Sequence, residues 1–427
     1  MYLRWKCLKS WVIYFFFHAL GALALYGGGQ PGVNSGRLMV RTFPLESELY
    51  QGTERLFPVE RKAEWRTYLI PRGFQVLTLK ADGYQEKKLH IQMPSSLEIE
   101  EKLERTDSRL RLLGETPTGR WPKGILFHSS QPSILVTLLG GIGIERIFFP
   151  DLVPRETLKL STSKQEVTGF VEFCTFPKRG EIWVSQMLTN EVHILSVDTL
   201  QKIGTIQVQG VWPKVICTDE EERYAYVSNW ESRTISVIDT ESRKVIHLIP
   251  VSGIPRGLAV TRGGILYVCL FEPGNIEVID TKTFTRIKTL TLGPGAKRHI
   301  VLDEHRGLAY VSDMATGMVT KLSLETNKPL SSLRVGSNPN TLALTTDGRF
   351  LFVSVRGRNH PEDYRKKGPE FGKVVVIDTG TFGIVDWVWG RNQPTGLTLS
   401  PDNRYMAFTD FLDDNLEVYD ISQLYQP

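Results

Sequence analysis

Apolar and polar residues alternate in short runs along most of this chain, and each run stops at Gly, Pro, Asn or Asp. The pattern is sharpest over residues 213–249. Pro213-Lys214-Val215-Ile216 leads into a charged turn at 219–223, followed by Tyr224-Ala225-Tyr226-Val227-Ser228-Asn229. Thr234-Ile235-Ser236-Val237-Ile238-Asp239-Thr240 and Lys244-Val245-Ile246-His247-Leu248-Ile249 come next. A period of two inside each run, with turn residues between runs, predicts four successive strands and no helix.

The unit recurs about every 42 residues. Trp183-Val184-Ser185, Tyr267-Val268-Cys269, Tyr310-Val311-Ser312 and Phe352-Val353-Ser354 repeat its second strand. Val197-Asp198-Thr199, Val278-Ile279-Asp280-Thr281, Val376-Ile377-Asp378-Thr379 and Val418-Tyr419-Asp420 repeat its third. Units open near Pro122, Val167, Pro213, Pro255, Lys297, Pro339 and Pro394, the first in degenerate form with Leu135-Val136-Thr137. A four-stranded sheet buries both faces only by stacking on its neighbours, so the expected fold is all-β, a seven-bladed β-propeller. The last unit stops after its third strand near Ile421. Because an unpaired blade edge is a liability, residues 108–114 (Ser-Arg-Leu-Arg-Leu-Leu-Gly) are expected to supply the missing outer strand.

Tyr226-Val227-Ser228-Asn229 and its copies resemble the YVTN family of β-propeller repeats, over about 300 residues. The resemblance implies fold rather than function, because propellers bind, scaffold and catalyse alike.

Ahead of the propeller, residues 36–95 read as a small β-sandwich-like domain, with strands at 36–44, 73–80 and 88–93 and a turn at Ala81-Asp82-Gly83-Tyr84. The proline closing the first strand and the late Gly-Tyr resemble a PEGA domain, which implies a spacer or surface-attachment module. The usual Asp-Gly…Gly-x-Thr-Pro middle is reduced to Gln51-Gly52. Residues 96–107 read as a charged connector and 108–427 as the propeller.

Residues 1–25 read as a signal peptide or signal anchor: Arg4, Lys6 and Lys9 precede an apolar run from Trp11 to Leu25, then Ala22-Leu23-Ala24 offers a cleavage pattern. Residues 26–35 are a Gly-rich leader. The run is about 15 residues against the roughly 20 of a spanning helix, leaving membrane anchoring through 11–25 as an alternative to cleavage. Export to the periplasm or cell surface is expected.

With 427 residues, 41% hydrophobic and 23% charged, the chain has room for one large and one small folded domain. The formal charge of +4 includes Arg4, Lys6 and Lys9. Removal of the signal leaves about +1, which gives no global attraction for nucleic acid. Of the four cysteines, Cys174, Cys217 and Cys269 follow the signal and sit in strand positions without C-x-x-C spacing, so buried thiols are expected.

Candidate chemistry is sparse. Asp198, Asp239, Asp280, Asp378 and Asp420 recur where the third strand ends, and a short polar side chain there caps a turn. His299 and His305 fall at opposite ends of one strand, which argues against a shared metal. Gly140-Gly141-Ile142-Gly143 opens no helix, and no Gly-x-Ser-x-Gly elbow, P-loop or zinc spacing occurs.

One cluster stands out. The residue after each unit's opening position faces the mouth of the central channel in such folds. Those residues are Lys123, Thr168, Lys214, Arg256, Arg298, Asn340 and Thr395, four of them basic. Loops between second and third strands add Asn229, Trp230, Phe271, Asp313, Asp410 and Phe411, and His299 lies beside Arg298. The sixth blade's loop, 356–371, is longer and carries Arg356, Arg358 and His360, and such an insertion is a candidate lid. The expected function is a monomeric, non-catalytic exported propeller that binds an anionic ligand or protein partner at this face, without a cofactor, metal or nucleic acid. The alternatives are a lactonase-like hydrolase, by resemblance to bacterial propeller lactonases, or a haem or quinone cofactor propeller using His299 or His360.

Overall fold

Eight short strands precede the propeller and form two stacked sheets. The computed structural model describes residues 34–153, 155–160 and 168–426; the expected signal segment, most of the leader and the expected opening residue Val167 lie outside the described residues. The strands are β1 (Ser35–Phe43), β2 (Glu48–Gln51), β3 (Glu54–Leu56), β4 (Glu60–Lys62), β5 (Trp65–Pro71), β6 (Gly73–Lys80), β7 (Lys87–Met93) and β8 (Ser96–Lys102). One sheet has the order β4-β5-β1-β8 and the other β3-β2-β6-β7. Leu38 and Val40 alternate inward from β1 and pack on Leu49, Tyr68, Ile70, Leu77 and Leu79, giving the pair of sheets a common core.

The segment expected as a connector is therefore largely a strand. β8 runs parallel to β1, from Arg37 opposite Ser96 to Phe43 opposite Lys102. Leu97 and Ile99 pack against the core, while Glu100 pairs with Arg41 of β1 and Lys367 of the propeller, and Glu101 lies 3.8 Å from Arg391. Those glutamates hide the alternation from a reading of polarity alone.

Seven further four-stranded sheets make the propeller blades: residues 122–159, 170–207, 213–250, 254–290, 297–334, 339–389 and 394–420, the last completed from outside its own unit. The completing strand is β9 (Arg111–Pro117), antiparallel to the third strand of blade 7, with Pro117 opposite Asn415 and Arg111 opposite Asp420. It starts three residues later than the expected 108–114, because Asp386 of blade 6 holds the earlier residues. Its carboxylate accepts from the Arg109 amide at 2.7 Å and the Ser108 hydroxyl at 3.2 Å. Leu110 then enters the core between blades 6 and 7.

Core side chains lie between blades. Phe352 and Val376 of blade 6 meet Phe408 and Tyr419 of blade 7, and Ala407, Leu416 and Val418 meet Ile125, Ile134 and Val136 of blade 1. The Tyr-Val-Ser repeat has a specific task in this stacking. Its fully buried serine donates to a main-chain carbonyl of the next blade: Ser185 to Lys214 at 2.7 Å, Ser228 to Arg256 at 3.0 Å, Ser312 to Asn340 at 2.7 Å and Ser354 to Thr395 at 3.1 Å. Thr137 makes the same bond to Val171 at 2.9 Å. Blade 4 carries Cys269 there, fully buried, its thiol pushed up to about 12 by burial. The recurring aspartates cap turns: Asp239 accepts from the Ser242 amide at 2.7 Å and Asp378 from the Thr381 amide at 2.8 Å.

The sandwich is fastened to blades 6 and 7. Lys102, at the end of β8, enters blade 7 and contacts Glu417, the Tyr419 hydroxyl at 2.9 Å and the Trp389 carbonyl at 2.7 Å. Phe43 stacks on Phe371 with ring centroids 4.3 Å apart. Arg391 lies 3.8 Å from Glu101 of β8, and Arg105, just after β8, pairs with Asp386 at 3.0 Å.

Candidate functional site

Each blade's inner strand begins with a break in pairing. In blade 3, Pro213 faces Asn229 and Ile216 faces Val227, so Lys214 and Val215 stand in a bulge. The same break follows Pro122, Phe170, Pro255, Lys297, Pro339 and Pro394. A bulge turns the first of its residues out of the sheet, and the neighbouring blade's serine or threonine ties down its carbonyl. Residues before the opening position often have positive φ, among them Trp121 (56°), Trp212 (62°), Asn338 (57°) and Gln393 (63°), the left-handed region that turns the chain sharply.

This geometry corrects one expected member. Phe170 faces Gln186 as Pro213 faces Asn229, so Val171, not Thr168, holds blade 2's position in the ring. Thr168 instead donates its hydroxyl to the Gly141 carbonyl. The missing proline at Phe170 concealed the register.

The ring brings Lys123, Lys214, Arg256 and Arg298 together, joined by Arg356 from the long loop of blade 6. Electrostatic coupling links Lys123 to Arg356, Arg298 and Arg256, and Lys214 to Arg256 and Arg298. One carboxylate meets them. Glu172 receives Arg256 at 3.0 Å and lies 3.9 Å from Arg298. Sequence reasoning missed Glu172, which follows the ring position in blade 2. The counterparts in blades 1, 4 and 7 are Gly124, Gly257 and Gly396; a Cβ at Gly257 would come within 2.8 Å of His299 Cα. An acidic side chain at a position otherwise favouring close blade contact was the available signal.

Arg256 and Arg298 are only 3% and 4% exposed, yet the Nη1 atom of each lacks a partner. Both side-chain amide atoms of Asn340, the blade 6 member, also lack one. Lys214 approaches the Met187 sulfur and lies 5.6 Å and 5.8 Å from the Trp212 and Trp230 rings. Burial, then Arg256 and Arg298, push its amine down to about 7. Lys123 lies 4.8 Å from the Phe411 ring, and burial with Arg356, Arg298 and Arg256 holds its amine well below the usual lysine range. Burial also lowers Arg356 to about 10, and its Nη2 donates to Gln393. His299 accepts from the Leu342 amide at 3.3 Å; burial and the two arginines lower it to about 3, so it is neutral.

Other expected site residues lie outside this ring. Asp313 pairs with Lys297 at 2.5 Å and accepts from the Ala296 amide at 2.8 Å. Asp410 accepts from the Arg391 amide at 2.9 Å, and burial with Glu417 raises its carboxyl. Asn229 donates to Thr234 and Ser236 at 3.1 Å and 2.8 Å. All three end second strands and tie loops, and their polarity made them look like ligand groups. Trp230 does edge the site, 5.0 Å from Phe271.

The insertion also behaves differently from the expected lid. Arg358 bonds Glu370 within the insertion itself, and the His360 ring accepts from the Glu362 amide at 3.2 Å. The rest packs on the sandwich: Arg41 donates to the Gly368 carbonyl at 2.8 Å and Lys367 pairs with Glu100 at 2.9 Å. Gln393, which holds Arg356, donates to the Tyr364 carbonyl at 2.7 Å. The loop thus links the sandwich to one channel cation.

No family model matches the chain. Over 356 residues it is 37% identical to Antigen Lp49 of Leptospira interrogans serogroup Icterohaemorrhagiae serovar copenhageni, covering 80% of this chain and 77% of the antigen. Over 196 residues it is 22% identical to the uncharacterized protein YncE of Salmonella typhimurium, covering 42% of this chain and 55% of YncE. Hydrazine synthase of Kuenenia stuttgartiensis superposes with a TM-score of 0.59 and 16% identity, over 72% of this chain and 97% of that one, a likeness of fold alone.

Proposed function

The chain belongs to the family of the leptospiral antigen Lp49, and from that premise we propose that it is an exported, non-catalytic propeller whose central channel binds a small anion. One observation carries this reading: Arg256 and Arg298 meet the carboxylate of Glu172 at 3.0 Å and 3.9 Å with Lys123 and Lys214 beside them, and the buried Nη1 atoms of both arginines are unmatched among the described residues. Unpartnered buried donors cost about 1–3 kcal/mol each, and more when charged, so an anion that met them would be held strongly. A small ligand is favoured over an acidic protein surface because the arginine side chains are almost wholly buried.

The relative's name describes it as an antigen, which supports a location in the cell envelope or at its surface for this chain as well. Among the described residues no helix is long and apolar enough to cross a membrane. Anchoring, where it occurs, is assigned to residues 11–25. The N-terminal sandwich is read as a PEGA-like spacer that fixes the propeller's orientation.

The test is a titration with sulfate and ethanedisulfonate, followed by calorimetry and thermal denaturation. A ligand at about a hundred times its Kd adds about 2.7 kcal/mol to stability. Changing Lys214, Arg256 and Arg298 together to Ser removes that gain if the channel is the site. An unchanged gain places binding elsewhere.

A further inference from the structure

The two channel lysines respond to their shared surroundings in a way that the three arginines do not. A guanidinium keeps its proton under nearly all conditions, whereas an amine crowded by like charge in a buried space gives its proton up. Lys123 faces Arg356 from the blade 6 loop, Arg298 and Arg256 from blades 5 and 4, Glu172 from blade 2 and the Phe411 ring from blade 7. Lys214 faces Arg256, Arg298, Glu172, the Met187 sulfur and the rings of Trp212 and Trp230. The remaining titratable group in the ring, His299, is hydrogen-bonded to the Leu342 amide through Nδ1. Glu172 is already engaged by Arg256 at 3.0 Å, so neither lysine has a carboxylate of its own.

We propose that the channel takes up its anion together with protons, which Lys123 and Lys214 accept as the anion arrives. This rests on the reading of the channel as an anion site and adds its regulation. The physical cause is reciprocal: negative charge beside an amine favours its charged form, so protons and anion each strengthen binding of the other.

The sign follows from Lys214. Its amine is held near 7 by burial and by Arg256 and Arg298, and an added anion shifts it back toward the ordinary lysine range. Between those limits binding consumes a proton, so affinity falls as pH rises, by at most about tenfold per pH unit for each proton taken up. Below the lower limit Lys214 is charged with or without ligand and contributes no pH dependence.

Calorimetry on the intact exported chain, with sulfate and ethanedisulfonate in buffers of different ionisation enthalpy, counts the protons directly. Both probes stay fully ionised across the range, so any proton belongs to the protein. At about pH 8 the expected result is uptake of one to two protons per anion and weaker binding at higher pH. Lys123→Met with Lys214→Met is expected to bind the probes through Arg256 and Arg298, with no proton uptake and a flat pH profile. Wild-type binding without proton uptake overturns the inference and leaves the anion site standing. Uptake that persists in the double variant assigns the proton elsewhere, with His299 the next group, and also overturns it. Absence of binding to either probe at every pH removes both the site and its regulation.

Discussion

Two buried lysines show how differently this protein treats charge. Lys102, at the junction of sandwich and propeller, is 2% exposed and lies among Glu417, Glu104 at 3.2 Å, the Tyr419 hydroxyl and the Trp389 carbonyl. Burial alone would lower its amine, but Glu417 and Glu104 overcome this and raise it. Lys214, in the channel, shares its surroundings with Arg256 and Arg298, and its amine is lowered. The junction's cation is satisfied inside the chain and the channel's is not. Burying a charge is therefore a fastening in one place and, on the function proposed above, a readiness to bind in the other.

The largest expected effect tests that contrast. Lys102→Met leaves Glu417 buried against Glu104 without its cation and is expected to cost about 3–5 kcal/mol in urea denaturation. Lys214→Met, which removes a cation from a cationic ring, is expected to leave stability at or above wild type. Equal losses from the two changes would erase the distinction. Next in size is the pH dependence of the ligand-free protein. A lowered Lys214 means that the unfolded chain binds more protons than the folded one above about pH 7. Stability should then rise from about pH 7 toward the ordinary lysine range, and the urea midpoint of Lys214→Met should lose the share of that rise that Lys214 contributes, keeping only that of Lys123. The smallest effect concerns blade stacking. Cys269→Ser restores to blade 4 the hydroxyl that the other serine-bearing blades use, and a gain of about 1 kcal/mol is expected. A loss there would mean that the blade 4–5 joint has adapted to sulfur.

The propeller was legible because its rule is local and repeated. Each Tyr-Val-Ser strand and each opening proline restates the same pattern, so seven imperfect copies support one another. The sequence also pointed to four of the five channel cations through their shared register, and to Arg356 through its insertion. What escaped it depended on particular partners. Phe170 lacks the proline that marks other openings, so Val171 was passed over for Thr168. β8 carries Glu100 and Glu101 where it meets Arg41 and Arg391, which are distant in sequence. Glu172 and its guanidinium partner Arg256 lie 84 positions apart, beyond any local pattern. Loop-tying Asp313 and Asp410 were indistinguishable from ligand groups until their main-chain partners were known.

The closing strand sets an order in time. β9 is synthesised before any complete blade, while the strand it must meet, Asn415–Asp420, is made after the other six blades. The ring therefore stays open until its seventh blade has been made, its first segment waiting for its last. That late contact between the first and last strands of the propeller then locks the fold.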